Sequence, residues 1–168
     1  MRKELYNELC KHLRELYHLP DGSVCHHVEG TDVPEGAERI IKHIDLWNHN
    51  VEFIEQEENW ARPAVFVEFC PIQWQATVPG VRYTCEPLVK LHIVTDWSGS
   101  SAAGSDWQDE ALQSLTLSRR IHEVLCGMEG ESFMDFDLVE TQTNHNHEDV
   151  VENVEIYSYV GLRKLHKG

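Results

Sequence analysis

The sequence predicts an α+β fold: a mainly antiparallel β-sheet flanked by an N-terminal helix and a central helix, in the order α-β-β-β-α-β-β. Three observations predict it. Apolar residues recur at helical spacing in two places, at Leu5, Leu9, Leu13 and Leu16 and at Leu117, Ile121, Val124, Leu125 and Met128. Elsewhere they alternate with period two, most clearly in PAVFVEF (63–69) and VKLHIV (89–94). Pro79-Gly80 is a turn that joins two such runs into an antiparallel hairpin. With 168 residues, the chain is expected to be a single domain over 1–168, with loop insertions at about 19–39 and 98–105.

Taken in order, Arg2 to His18 reads as the first helix, stopped by Pro20-Asp21-Gly22. Ser23 to Arg39 has Gly30, Pro34 and Gly36 and no period, so it reads as loop, and His26-His27 as two solvated loop histidines. Ile40 to Trp47 reads as the first strand. The acidic stretch after it, with Glu55, Glu57 and Glu58, reads as a solvated face. In Pro63 to Gln75, Val65, Val67 and Phe69 share one face and Ala64, Phe66 and Glu68 the other. Pro71 cannot donate to a ladder and marks a bulge or an edge. Arg82 to Trp97 is the next strand. Ser98 to Gly104 has linker composition, and Ser105 to Gln108 has the form of a capping box opening a helix that runs to about Cys126, with Gly127 and Gly130 as stops. Phe133 to Thr143 and Val150 to Leu162 are the closing strands, with Val150, Val154, Ile156 and Val160 on one face of the second.

Composition narrows the classes of function. Hydrophobic residues are 41% and charged residues 26%, as in an ordinary folded domain. No apolar run approaches the roughly 20 residues of a membrane span, and MRKELYNELC has no apolar core of a secretory signal, so no membrane partner is expected. Twenty-nine acidic residues against fourteen basic ones give a net charge of −15, which repels phosphate backbones and argues against sequence-specific nucleic-acid binding. The eleven histidines add positive charge if the pH falls toward 6. The five cysteines are odd in number and form no C-x-x-C pair, so all are read as free thiols, with Cys70 and Cys126 in apolar segments as small hydrophobes.

The stretch NHNHEDV places His145 and His147 two residues apart, followed by Glu148 and Asp149. On one strand face the two imidazoles are half of a metal site. The Asn and Asp content is equally what a turn between two strands requires, and no further ligand motif accompanies it. The hairpin-tip reading is preferred, and no catalytic, cofactor-binding or metal residue and no cofactor is assigned. There is no G-x-S-x-G, phosphate loop or Cys-His spacing of a thiol enzyme. His122 reads as a satisfied, partly exposed helix residue. Trp47, Trp60, Trp74, Trp97 and Trp107 suit core packing or a protein interface.

The runs HIDLWNHNVEFIEQEENWARPAVFVEFCPIQWQ, VKLHIVTDW, DEALQSLTLSRRIHEVLCGM and NHNHEDVVENVEIYSYV resemble a family of small phage and prophage proteins. In order of elements, over about Ile40 to Leu162, the chain also resembles the tail terminator (tail completion, head–tail joining) proteins of long-tailed phages. The resemblance implies a homo-oligomeric ring, usually a hexamer, that caps the tail tube, stops its polymerisation and presents a surface to the head-completion or connector protein. It implies a structural protein of the virion, made in the bacterial host cytoplasm, and no enzyme. The alternatives are another neck or connector protein of the same particle, a metal-dependent enzyme centred on His145 and His147, or a small adaptor for a host protein.

Overall fold

Leucines spaced by three and four build helix α1 (Arg2–Arg14), which buries Leu5, Leu9 and Leu13 completely. The helix stops at Arg14 rather than at His18. The next residues form strand β1 (Leu16–His18), antiparallel to β2 (Val24–His26) and to the two-residue β3 (Glu38–Arg39). Leu16 continues the leucine spacing but is buried as a strand residue. Asp21 makes the turn, accepting hydrogen bonds from the N–H (2.9 Å) and hydroxyl (2.6 Å) of Ser23. The stretch expected to be loop therefore contributes two strands to a small three-stranded sheet.

The computed structural model describes residues 1–28, 30–48, 60–97, 102–106, 108–144 and 150–165. Within these, the main sheet is made of β4 (His43–Leu46), β5 (Ala64–Phe69), β6 (Gln75–Val78), β7 (Arg82–Cys85), β8 (Leu88–Asp96), β9 (Phe133–Asn144) and β10 (Val150–Lys164). Its order is β4-β5-β8-β10-β7-β6, with β9 on the outer side of β10. Only β4 and β5 run parallel; every other pair is antiparallel.

Prolines set the breaks in this sheet. The expected strand from Pro63 to Gln75 is interrupted around Pro71, and its hairpin partner from Arg82 to Trp97 is interrupted at Glu86-Pro87. The two interruptions lie opposite one another, so β5 pairs with β8 and β6 with β7. Fifteen-residue β10 spans both pieces, meeting β8 through Val150 to Ser158 and β7 through Gly161 to Lys164. The first expected strand is shorter than Ile40 to Trp47, covering only His43–Leu46.

The central helix is two pieces, α2 (Gln108–Ala111) and α3 (Gln113–Leu125), parted at Leu112. The Gln108 side chain reaches back to the N–H of Gly104 (2.8 Å), one residue before the position expected of a capping box. Both long helices cover one face of the sheet. Val65, Val67, Val89, Leu91, Ile93, Phe133, Phe136, Tyr157 and Tyr159 meet the leucines of α1 and the Leu117, Ile121 and Leu125 stripe of α3 there. A smaller cluster of Ala64, Phe66, Val94 and Val150, flanked by Trp47 and Trp60, occupies the other face. The period-two reading of Val65, Val67 and Phe69 against Ala64 and Phe66 thus describes two cores.

Glu4 pins α1 to the start of β9 by accepting hydrogen bonds from the N–H groups of Glu131 and Ser132 and from the Ser132 hydroxyl. Gly130 makes that approach possible, since a Cβ there would sit 2.4 Å from Glu4 Oε1. All five cysteines are free thiols. Cys85 is the buried one, whereas Cys126 is exposed at the end of α3 and does not pack as the apolar segment before it predicts. Among the described residues, no helix is long and apolar enough to cross a membrane.

Candidate functional site

His92 lies in the middle of β8 on the face away from the helices, between Phe66 of β5 and Val154 of β10. It is 6% exposed. Its Nδ1 is 2.6 Å from Glu152 Oε1 and its Nε2 is 2.9 Å from Glu68 Oε2. The Trp47 indole lies flat on the imidazole, with ring centres 3.8 Å apart and planes 4° from parallel. Asn144 Nδ2 donates to the second oxygen of Glu152 (2.7 Å), and Lys90 Nζ reaches Glu68. The imidazole is thus held edge-on between two carboxylates and face-on against an indole. Burial pushes the Glu68 carboxyl up, but hydrogen bonds from His92 and the charge of Lys90 outweigh it and hold Glu68 below the usual carboxylate range. Both ring nitrogens face carboxylate oxygens. This is a clamp across three strands. Sequence reading missed it because His92 appears there only as the polar member of an alternation.

Two other histidine groups lie at the ends of the helices. His122 of α3 stands 3.5 Å from Asp137 Oδ1 of β9, and Cys126 Sγ donates to the same oxygen (3.5 Å). His122 is partly exposed, as expected, and it is its Nε2 that faces Asp137, at ion-pair distance but without close hydrogen-bond geometry. Below it, Tyr157 donates to Glu155 Oε2 (2.6 Å) inside the core. Burial pushes the Glu155 carboxyl above its ordinary range and the Tyr157 phenol far above its own. At the end of α1, Glu15 Oε2 is 2.7 Å from His26 Nε2 and 3.6 Å from His12 Nδ1. His26 is therefore a strand residue with a carboxylate partner, while its neighbour His27 bonds the Thr31 hydroxyl (2.7 Å).

Two clefts open near these groups. One of about 350 Å³ lies between the small sheet and α3, lined by His18, Ile40, Thr95, Asp96, Ser114 and Arg120. Its charges are engaged already, Asp96 with Arg62 and Arg120 with Glu123. The other, about 440 Å³, lies beside α1 and is lined by Lys11, Arg14, Glu15, His27, Thr31 and Arg39 among others.

The remaining feature is an edge. Among the described residues β9 pairs with β10 alone, leaving one side of a twelve-residue strand without a neighbour. Most of its residues beyond Phe136 are exposed, including Val139 at 55%. Two bulges interrupt it, one at Val139 and one at Asp135-Phe136, where Asp135 takes a left-handed φ of 55°.

No family model and no curated protein matches this chain.

His145 and His147, with Glu148 and Asp149, lie outside the described residues, as do Glu55, Glu57, Glu58 and Trp107. The strands on either side of the His145 stretch are paired, Asn144 opposite Glu152. Of the other tryptophans, Trp47 and Trp60 pack into the small core, Trp74 lies under the Arg163 guanidinium (4.2 Å), and Trp97 is half exposed.

Proposed function

We propose that this chain is a structural subunit of the phage head–tail junction, a tail terminator that forms a ring, caps the tail tube and presents its outer surface to a connector protein. The observation that carries the reading is the free edge of β9. A strand with an unpaired backbone side and exposed apolar residues is a template for a neighbouring chain, by strand addition or by side-chain packing. Leu112 and Leu115 add exposed apolar surface where α2 meets α3. The order of elements, with a helix first and a long hairpin last, agrees with the resemblance of the sequence to tail terminators. An acidic surface, net −15 per chain, is also suited to a channel through which DNA slides without being held.

A head-to-tail contact repeated by rotation closes into a ring, and a closed ring can end a tube. The test is electron microscopy of tail tubes polymerised with and without the purified chain, alongside native mass spectrometry. Capped tubes of limited length and a cyclic oligomer, most simply a hexamer, are expected. Val139→Lys should abolish both while leaving the thermal midpoint within the small range of surface substitutions. A chain that stays monomeric and leaves tube length unchanged overturns the assignment.

A further inference from the structure

We propose that His12, Glu15 and His26 form a site for a divalent transition metal of the zinc class, tying the end of α1 to the small sheet. Nitrogen, nitrogen and carboxylate oxygen are a donor set that zinc accepts with three protein ligands and a water. One ligand atom from each of the three residues lies within 4.8 Å of the other two. A tetrahedral site with bonds of about 2.0 Å needs donors about 3.3 Å apart. The observed separations from Glu15 Oε2, 2.7 Å to His26 Nε2 and 3.6 Å to His12 Nδ1, bracket that edge length, so small side-chain rotations complete the geometry.

Three further features point the same way. His12 Nδ1 is buried and has no hydrogen-bond partner, which is costly for an imidazole nitrogen unless something else occupies its lone pair. The other nitrogen of His12 stands 4.0 Å from Glu8 Oε2, within ion-pair range, so a small rotation would let that carboxylate accept its N–H and orient a metal-bound ring. The Glu15 side chain is 5% exposed and caps the C-terminus of α1, where the helix dipole adds negative potential to a buried carboxylate. Both effects favour a cation at this spot. Glu15 also lines the 440 Å³ cleft, through which water reaches the fourth position. The ligands come from three places in the fold: His12 from α1, Glu15 from its end, and His26 from β2, brought alongside by its pairing with Leu16.

The experiment uses the full chain, expressed without an affinity tag and stripped with a chelator. Titration with zinc chloride by calorimetry should show one ion bound per chain and raise the thermal midpoint. His26→Gln, on an exposed strand position, should weaken that binding at least about 100-fold, and Glu8→Gln by about 10-fold. A His145→Gln, His147→Gln double variant and Cys126→Ser should keep it. The cobalt complex of the unaltered chain provides a reading independent of any variant's folding. It should show visible d–d bands without a thiolate-to-cobalt charge-transfer band. Absence of stoichiometric binding overturns the proposal. So does binding that survives His26→Gln, binding lost in Cys126→Ser, or a charge-transfer band, the last two of which would move the site to His122, Cys126 and Asp137.

Discussion

At the scale of single residues, the His92 clamp makes the sharpest energetic statement. Removing one partner of a buried hydrogen bond leaves the other group unsatisfied and costs about 1–3 kcal/mol. Glu152 is 2% exposed, so His92→Leu should fall in that range in denaturant unfolding. In a Glu152→Gln background, where Asn144 still has an acceptor, the same change should cost much less. Strict additivity of the two substitutions would mean that His92 acts only by packing beneath Trp47. Glu155 makes a prediction of opposite character. Its carboxyl titrates above the ordinary value of 4.5 because burial disfavours the charge. Its contribution is complete below that value and is lost as pH rises through the elevated folded value. Glu155→Gln keeps an acceptor for Tyr157 without acquiring charge. The stability of this variant relative to the parent should therefore climb with pH between about 4 and 8, read as thermal midpoints. A constant offset across that range would show that the Glu155 carboxyl ionises as readily in the fold as in the unfolded chain.

At the scale of elements, β9 shows how an edge is kept irregular. Its bulge at Asp135 needs a backbone conformation that Asp tolerates and branched residues do not. Asp135→Val should cost about 1–2 kcal/mol and Asp135→Gly little, measured as unfolding midpoints. Equal costs would place the requirement in the carboxylate instead. The legibility of the other elements follows from their physics. β5 and β8 are long enough for period two to declare itself, and Pro71 announces a break because it lacks an N–H. The small sheet is not legible. Leu16 extends the leucine spacing of α1, and only pairing with Val24–His26, reached around a turn, makes it a strand. The metal-ligand candidates were hidden by the same turn. His12 and Glu15 look like an ordinary helix-face pair until β2 delivers His26, whereas the conspicuous His145 and His147 lie outside the described residues.

For the whole molecule, charge sets the conditions of assembly. In the ring proposed above, six chains carrying −15 each would repel one another. Salt screens interactions beyond about 10 Å at 0.1 M, so ring formation should strengthen as salt rises from about 0.02 M to about 0.5 M. Light scattering at fixed protein concentration reads this directly. Rings that dissociate as salt is added would show that attractive ion pairs across the contact outweigh the net repulsion.

The position of β10 has a consequence for how the molecule is made. Its neighbours on one flank, β7 and β8, and on the other, β9, are all synthesised before it, yet none of them touches across the gap that it fills. A ribosome that has emitted every residue up to 144 has produced two groups of strands with open flanks and no strand to join them. The buried Tyr157 and Tyr159 and the carboxylate that holds His92 from below, Glu152, are still to come. Closure must wait for that last segment and then proceed through contacts far apart along the chain, which is slow compared with local helix formation. During that interval the nascent chain exposes sticky flanks to the cell, and the acidity of its surface is the protection it carries from the start.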